Sequence, residues 1–262
     1  MHASQRSLLA WVEREVRRCR PTALRYFRSS TLRVERKPDR SPVTVADRAI
    51  EERLRRALAR VCPGEAVIGE EFGPSGRPGA TYWTIDPIDG TRAFSRGWPT
   101  WAIMVGKIED GRPVLGVCDF PALDVTVAVG PGVAAYERRD RRLTRLHRPR
   151  RAASLQGLVL LHGGLRFWPS GSMLGRFQRL ARACYLERAL GDCYGYLWAL
   201  RGDADAVIDY GVKVWDMVPL AALARATGRV MTDFTGRPCW TGPETVFASP
   251  AVARRLCQIL RP

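Results

Sequence analysis

The sequence predicts a layered α/β fold built from two halves with a cleft between them. Its 262 residues are 46% apolar and 26% charged, which are ordinary values for one large globular domain or two closely packed halves. The first half has the pattern of two helices followed by hairpin-connected strands. In the second half strands alternate with helices, which is typical of a parallel or mixed sheet covered by helices.

The first half, residues 1–150, opens with two predicted helices. Apolar residues recur at helical spacing and predict a helix over 6–28. A second helix is predicted from Thr44 to Arg60, because Thr44 and Asp47 have the spacing of a capping box. Runs rich in β-branched, aromatic and other apolar residues then predict strands at 66–68, 81–85, 101–108, 113–118, 124–129 and 134–138.

In the second half, residues 151–262, strands alternate with helices. Asp216 opens one of its helices, Pro219 falls in the first turn of that helix, where a missing N–H is harmless, and Gly228 closes it. We expect the two halves to form one compact unit. The predicted order is strand 158–161, helix 172–184, helix 193–201, strand 206–208, helix 216–227, strand 244–248 and helix 250–260.

The charge balance is the unusual part of the composition. Lys+Arg 42 against Asp+Glu 26 give a net charge of +16. One interpretation is a surface for nucleic acid or another polyanion. The favoured one is codon bias in a GC-rich genome, because the arginines are spread along the chain and no DNA-reading motif accompanies them. The densest arginine run, 138–151, is predicted as an exposed connection between the halves, where an anionic partner stays open.

The cysteines and apolar runs indicate a cytoplasmic protein. The seven cysteines include no Cys-x-x-Cys pair, which argues against a disulfide framework or a zinc site and favours reduced thiols. The apolar stretch 8–12 is too short for a secretory signal and is followed at once by acidic residues. No apolar run approaches the roughly 18–20 residues that span a bilayer.

Two carboxylates, Asp86 and Asp89, lie three residues apart at the end of a predicted strand. Pro87 fixes φ between them, and Gly90 lets the backbone approach a ligand closely. Oxygen donors at one point suit a hard cation such as Mg²⁺, and the N–H groups of Gly90 and Thr91 can hold a phosphate. For this segment alone, an ordinary turn whose aspartate caps a helix is the better interpretation.

Three further acidic residues favour a metal site at this segment. Glu70 follows the strand 66–68, Asp216 lies where a helix starts, and Asp47 lies in the first turn of a capped helix. Each has a plain alternative, either a solvated acidic loop or a helix cap. Their joint occurrence in this order is not well explained by chance.

In these pieces the sequence resembles the inositol monophosphatase-like, lithium-sensitive Mg²⁺ phosphatases. The matching motifs are Gly-Glu-Glu at 69–71, Asp-Pro-Ile-Asp-Gly-Thr at 86–91 followed by Phe94, and Trp-Asp at 215–216. Their order and spacing fit over essentially the whole chain. The resemblance implies an alternating α/β/α/β/α sandwich, a homodimer, and two or three Mg²⁺ ions per site with inhibition by Li⁺.

The resemblance also implies roles for single residues. Thr91, supported by Asp47 and with Glu70 nearby, would orient and deprotonate the attacking water. Two cations would clamp the attacking and leaving oxygens of an in-line displacement, and water bound to a metal needs only a weak base. The implied Mg²⁺ ligands are Glu70, Asp86, Asp89, Asp216 and the carbonyl of Ile88.

The resemblance implies that the substrate is a small phosphate ester, and two motifs indicate which ester it is. Trp-Pro-Thr-Trp at 98–101 and Gly-Asp-Cys-Tyr-Gly-Tyr at 191–196 resemble the histidinol-phosphatase branch, and Lys213 also fits it. Carboxylates would pair with the ammonium and imidazole of histidinol phosphate, and an aromatic face would stack on the ring. Core packing is the alternative for the tyrosines. The predicted substrate contacts are Asp89, Trp101, Asp192, Tyr194 and Asp209.

Other functions stay open because the chain departs from that branch in places. Tyr210 stands where proline is expected, Thr227-Gly228-Arg229 replaces an expected Gly-Gly, and the stretch 162–170 differs. The favoured function is hydrolysis of histidinol phosphate in histidine biosynthesis. The alternatives are an inositol monophosphatase or a 3′(2′),5′-bisphosphate nucleotidase with the same mechanism. A remote alternative is a basic nucleic-acid-binding protein on an inactive scaffold.

Overall fold

Five alternating layers, α/β/α/β/α, make up the fold. The computed structural model describes residues 5–36, 42–149, 154–169 and 171–261. An eight-stranded and a five-stranded sheet are separated by one layer of helices. Further helices cover the outer face of each sheet. The predicted layered sandwich is confirmed.

The first half supplies the large sheet and its covering helices. Its helices are α1 (Gln5–Arg17), α2 (Arg20–Tyr26), α3 (Val45–Val61) and the short α4 (Thr91–Ser95). Its strands are β1 (Val34–Arg36), β2 (Pro42–Thr44), β3 (Ala66–Gly69), β4 (Gly73–Ser75), β5 (Tyr82–Asp89), β6 (Ala102–Glu109), β7 (Arg112–Phe120), β8 (Val125–Gly130), β9 (Val133–Arg139) and β10 (Arg142–Arg145). The strand order is β10-β9-β8-β7-β6-β5-β3-β4, antiparallel except between β3 and β5.

The second half supplies the small sheet. Its strand order is β12-β11-β13-β15-β14, with β11 parallel to both of its neighbours and the remaining pairs antiparallel. Its elements are β11 (Val159–His162), α5 (Ser172–Ala183), β12 (Leu186–Ala189), α6 (Asp192–Arg201), β13 (Ala206–Tyr210), α7 (Val214–Ala226), β14 (Val230–Thr232), β15 (Glu244–Ala248) and α8 (Pro250–Leu260).

Apolar faces hold the layers together. Burial of apolar surface contributes roughly 25 cal/mol per Å², and both sheets are buried on both faces over much of their area. Helices α1 and α3 cover the large sheet, α6 and α7 fill the space between the sheets, and α5 and α8 cover the small sheet. Representative buried side chains of these three layers are Val12 and Ile50, Leu197 and Leu223, and Phe177 and Leu256.

A pair of glycines sets the position of α7. Gly106 of β6 and Gly116 of β7 face each other across the strands. A Cβ on Gly116 would lie 2.2 Å from the carbonyl oxygen of Pro219, and one on Gly106 would lie 2.8 Å from the Pro219 nitrogen. The two glycines therefore leave room for the α7 backbone to lie directly on the sheet.

Two predicted helices differ from the structure at a proline. The helix predicted over 6–28 is two helices, because Pro21 lacks the N–H that a continuous helix needs and lies instead in the first turn of α2. Pro219 was predicted in the first turn of its helix, but it lies inside α7, which begins at Val214. At this position in α7, Pro219 packs closely against Gly106 and Gly116.

Several short strands were not predicted from the sequence. The arginine-rich stretch 138–151 contains β10, which pairs with β9, and its residues from 141 to 145 are exposed. The proposed boundary between halves, at 150–151, lies outside the described residues. None of the described helices is long and apolar enough to cross a membrane.

Candidate active site

A cavity of about 400 Å³ opens where β5, α4, α6, β13 and α7 meet. Strand β5 ends there, and α4, α6 and α7 all begin there. The cavity therefore gathers side chains from both halves of the chain. Of the residues predicted from the sequence, those that line it are Glu70, Asp86, Ile88, Asp89, Gly90, Thr91, Asp192, Asp209 and Asp216.

Three carboxylates meet at the base of this cavity. One oxygen from each of Asp86, Asp89 and Asp216 lies within 4.8 Å of the other two. Asp86 is buried within β5, Asp89 ends that strand, and Asp216 lies in the first turn of α7, where it accepts a hydrogen bond from the Lys213 N–H at 2.8 Å. Among the described residues, this is the one acidic, His or Cys cluster with the spacing of a metal site.

The backbone around Pro87 turns these groups toward one point. The β5–β6 pairing is irregular between Asp86 and Asp89, so the strand bulges there. The Ile88 N–H donates to Asp86 Oδ1 at 3.1 Å, which fixes that carboxylate. Gly90 follows with φ +82°, a left-handed conformation that glycine adopts without strain, and α4 starts at Thr91.

Burial and neighbouring acidic groups raise the pKa of all three carboxyl groups. Burial is the main cause, and it raises the pKa of Asp216 to about 7. Burial and the neighbouring acidic groups hold the pKa values of Asp86 and Asp89 well above the usual range. Like charges this close cannot all ionise unless a cation or protons compensate them.

The donor set fits a hard divalent cation. Carboxylate and carbonyl oxygens are the ligands that Mg²⁺ prefers, and the three carboxylates and the Ile88 carbonyl lie on one cavity wall. The raised pKa values indicate an uncompensated negative site that such an ion would neutralise.

Next to this cluster, Thr91 and Asp47 form a buried pair. The Thr91 hydroxyl lies 3.5 Å from Asp47 Oδ1 and donates to the Ile88 carbonyl at 3.1 Å. Asp47 completes the predicted capping box of α3: its Oδ2 accepts the Thr44 N–H at 2.8 Å. Burial raises the pKa of Asp47 to about 6. Asp47 is thus a carboxylate held within reach of a hydroxyl on the cavity wall.

Asp192 and Asp209 form a second acidic region, on the small-sheet side of the cavity. Asp209 is 7% exposed, accepts the Tyr210 N–H at 2.8 Å, and has its pKa raised to about 7 by burial. A Cβ on Gly163 would lie 2.1 Å from Asp209 Oδ1, and one on Gly90 would lie 3.0 Å from Asp192 Oδ2. Both carboxylates therefore reach into the cavity against glycine backbone.

Two predicted substrate residues do not reach the cavity, which corrects the prediction. Trp101 is fully buried among aromatic rings, with the Phe94 ring 4.9 Å away, because it lies on the opposite face of the large sheet from Met104, which does line the cavity. Tyr194 packs its ring against Trp198 at 6.1 Å. Two residues along a helix correspond to about 200° of rotation, so Tyr194 points away from the Asp192 side of α6.

The sequence analysis did not predict Arg92 or Phe167 as cavity residues, and it noted Lys213 only as fitting the histidinol-phosphatase branch. The side chains of Arg92 and Lys213 bring positive charge to the lining, and Phe167 lies beneath the Arg92 guanidinium at 5.7 Å from the ring centre. Arg92 adjoins Thr91, so its place beside the acidic motif was a usable signal. Phe167 falls in the stretch 162–170, which has no motif to mark it.

Comparisons with known proteins agree with this geometry. The model of the inositol monophosphatase family matches residues 5–261. A histidinol-phosphatase from Mycobacterium tuberculosis is 37% identical over 212 residues, 80% of this chain and 81% of that protein. The inositol-1-monophosphatase ImpA of Mycolicibacterium smegmatis is 32% identical over 236 residues, 86% of this chain and 82% of that protein.

Solved structures share the fold at lower identity. The extragenic suppressor protein suhB from Bartonella henselae has a TM-score of 0.87 and 21% identity, over 97% of this chain and 98% of that one. An inositol monophosphatase from Zymomonas mobilis has a TM-score of 0.84 and 24% identity, with both chains fully covered. With the family model matching nearly end to end and the acidic motifs gathered in one cavity, this chain is a phosphoric monoester hydrolase that belongs to the inositol monophosphatase family.

Proposed function

We propose that this protein is a Mg²⁺-dependent histidinol-phosphatase, which releases inorganic phosphate and histidinol in histidine biosynthesis. The observation that carries the proposal is the pair Asp192 and Asp209, a second acidic region that lines the same cavity as the three-carboxylate cluster. Such a cavity suits a substrate with a phosphate at one end and positive charge at the other. Three relatives named histidinol-phosphatase, at 30–37% identity, support the same substrate.

The phosphate end of the substrate would bind at the three-carboxylate cluster. Glu70 would complete the ligand set of Asp86, Asp89, Asp216 and the Ile88 carbonyl, for two or three Mg²⁺ ions. When bound, Mg²⁺ supplies charge neutralisation for the phosphoryl group and an acidified water. The backbone N–H groups of Gly90 and Thr91, at the start of α4, would orient the phosphate oxygens.

Thr91 and Asp47 would accept the proton of the attacking water. The Thr91 hydroxyl can accept a proton while it donates its own toward Asp47, whose raised pKa of about 6 suits a group that takes up a proton near neutral pH. Glu70 lines the same wall and would hold the water in line with the phosphorus. Phosphoryl transfer needs positioning and charge neutralisation more than covalent help.

The other end of the substrate belongs at Asp192 and Asp209. Each carboxylate would accept charge-assisted hydrogen bonds from the ammonium or the imidazole. Asp209 is held by its own backbone contact and needs little reorganisation to bind a cation. Asp89 adjoins both regions: it accepts the Cys193 N–H at the start of α6, next to Asp192.

The remaining properties in this proposal come from the family resemblance. We propose a cytoplasmic homodimer whose activity Li⁺ inhibits.

An inositol monophosphatase or a 3′(2′),5′-bisphosphate nucleotidase is the second candidate function. The ImpA relatives support it, and Arg92 and Lys213 in the cavity favour a more anionic substrate. An inactive nucleic-acid-binding scaffold is disfavoured, because the described residues include every predicted carboxylate ligand.

The test is phosphate release from histidinol phosphate, inositol 1-phosphate and adenosine 3′,5′-bisphosphate, side by side, with Mg²⁺ and with EDTA. We expect release only with Mg²⁺ and a kcat/KM for the histidinol ester at least tenfold above the others. Preference for another ester would reject the assignment of Asp192 and Asp209. Release from none of them would reject the catalytic proposal.

A further inference from the structure

A second and larger cavity, about 760 Å³, lies beside the far end of α7. It is bounded by the last turns of α7, by β14, by the loop 236–240 and by α8. Asp216 in the first turn of α7 belongs to the active site, whereas Arg225 in the last turn lines this cavity. Nine residues of helix correspond to about 14 Å along its axis, so the two sites are separate.

Most of the wall of this cavity is apolar. Helices α7 and α8 contribute Ala221, Ala224 and Ala253, and β14 contributes Met231. The half-buried ring of Trp240 closes one side. A concave, mainly apolar site with a few polar groups, within the ~300–1,000 Å³ range of ligand pockets, is the usual form of a small-molecule site.

Among the described residues, the charged groups that line the cavity all have one sign. They are five arginines, with no aspartate or glutamate. Within the described part of the chain, none of the five forms an ion pair. These arginines are Arg112, Arg225, Arg229, Arg254 and Arg261.

Arg229 is the unusual member of this set. It is only 4% exposed, yet its guanidinium contacts two backbone carbonyls, those of His147 and Ala199, and no carboxylate among the described residues. Its buried Nε has no hydrogen-bond partner in that part of the chain. Burial lowers the pKa of Arg229 to about 10, so it is still charged at neutral pH.

An uncompensated buried cation is costly, and an anion beside it offsets that cost. We infer that this cavity binds a small anionic amphiphile, with an apolar body against α7 and α8 and one acidic group among the arginines.

Decanoate and decanol make a suitable pair of probes, because both have a ten-carbon chain and only decanoate carries a charge. Binding is measured by calorimetry, below the micelle concentration and in EDTA, so that no metal recruits an anion to the acidic active site. We expect one decanoate per chain and at least tenfold weaker binding of decanol, because a charge-assisted hydrogen bond is worth about tenfold or more.

Neighbouring arginines on α8 provide the matched variants. Arg254 lines the cavity and Arg255 does not, although both are exposed. Arg254→Gln should weaken decanoate binding about tenfold, and Arg255→Gln should leave it unchanged. Arg229→Met should abolish it, and should this variant not fold, the double variant Arg225→Gln with Arg254→Gln serves instead.

Three results would overturn the inference. The first is equal affinity for decanoate and decanol, or equal effects of the two α8 variants. The second is stronger decanoate binding in Asp86→Asn, because removing a negative charge from the active site would favour an anion bound there. The third is a dimer that Arg254→Gln dissociates in sedimentation, which would make the cavity an interface between two copies of the chain.

Discussion

The carboxylates of Asp86 and Asp216 come from opposite halves of the chain and approach each other within 4.8 Å. Asp86 belongs to β5 of the large sheet, and Asp216 to α7, the helix between the two sheets. Neither half could form this pair alone. Burial, together with neighbouring acidic groups, raises the pKa of both carboxyl groups, and a divalent cation would compensate the negative charge at this point.

Asp86→Asn tests the metal site directly. The amide has the same shape but lacks the charge that a divalent ion needs, so we expect Mg²⁺ binding to weaken and kcat/KM to fall by more than about 100-fold. Calorimetry with Mg²⁺ and phosphate-release assays measure the two effects. Circular dichroism should show an unchanged fold. Asp203→Asn, an exposed aspartate after α6, is the control and should be fully active. Normal turnover in Asp86→Asn would refute the assignment.

The pKa values also predict how stability depends on pH. Asp47, Asp209 and Asp216 have folded-state pKa values of about 6, 7 and 7, above the ordinary 3.8. Between pH 4 and 7 the folded protein therefore holds more protons than the unfolded chain, and without metal its stability falls as pH rises through this window. With Mg²⁺, the cation replaces protons at the cluster and the loss should shrink.

Urea unfolding at pH 5 and pH 8, in EDTA and in Mg²⁺, measures this effect. In EDTA the midpoint should be lower at pH 8 than at pH 5, and Asp216→Asn should reduce the difference because it removes one titrating group. A midpoint in EDTA that rises from pH 5 to pH 8 would contradict the prediction.

Thr91 and Asp47 should act on turnover rather than on metal affinity. Thr91→Val removes the hydroxyl that lies 3.5 Å from Asp47, and we expect kcat to fall about 100-fold or more, the usual contribution of general-base catalysis. Thr91→Ser keeps the hydroxyl and should stay within about tenfold of the wild type. Mg²⁺ titration should give similar affinities for all three proteins. A Thr91→Val variant with full kcat would remove this pair from the mechanism.

Asp209→Asn tests the proposed substrate. The amide can still accept the Tyr210 N–H but cannot pair with a cation. KM for histidinol phosphate should rise about tenfold or more, the value of a charge-assisted hydrogen bond, while KM for inositol 1-phosphate changes little. Steady-state kinetics on both esters give the comparison. Equal effects on the two would mean that Asp209 has a structural role.

Local patterns in the sequence were enough to predict most elements and the acidic motif. Thr44 and Asp47 marked the start of α3 correctly, because a capping box involves only residues of one turn. The segment from Asp86 to Gly90 predicted a bend that presents its oxygens to one point, since proline and glycine restrict the backbone locally. That Asp216 lies beside them rested on a resemblance, because no local pattern specifies which distant segment packs there.

The errors concern side-chain direction, which packing decides. Asp192 and Tyr194 were both predicted as substrate contacts, but Asp192 lines the cavity and Tyr194 does not. Helix α6 is apolar on most sides and buried between the sheets, so its sequence did not indicate which of its aromatic side chains faces the cavity. Trp101 was predicted as a substrate contact from its place after the metal motif, yet strand alternation turns it to the other face. The second acidic region depends on Gly163 and Gly90, whose role appears only in three dimensions.

The position of α7 provides the last prediction. Gly116 leaves space for the Pro219 carbonyl, since a Cβ there would lie 2.2 Å from its oxygen. Gly116→Ala must therefore push α7 off the sheet, and Asp216 moves with the helix. We expect a loss of about 1–3 kcal/mol in the free energy of unfolding, typical of overpacking, together with weaker Mg²⁺ binding. Gly157→Ala is the control, because a Cβ there meets no atom of the described residues within 4 Å. Urea denaturation and Mg²⁺ calorimetry on both variants distinguish the outcomes: if Gly116→Ala loses stability but binds Mg²⁺ as tightly as the wild type, the contact supports the fold without positioning Asp216.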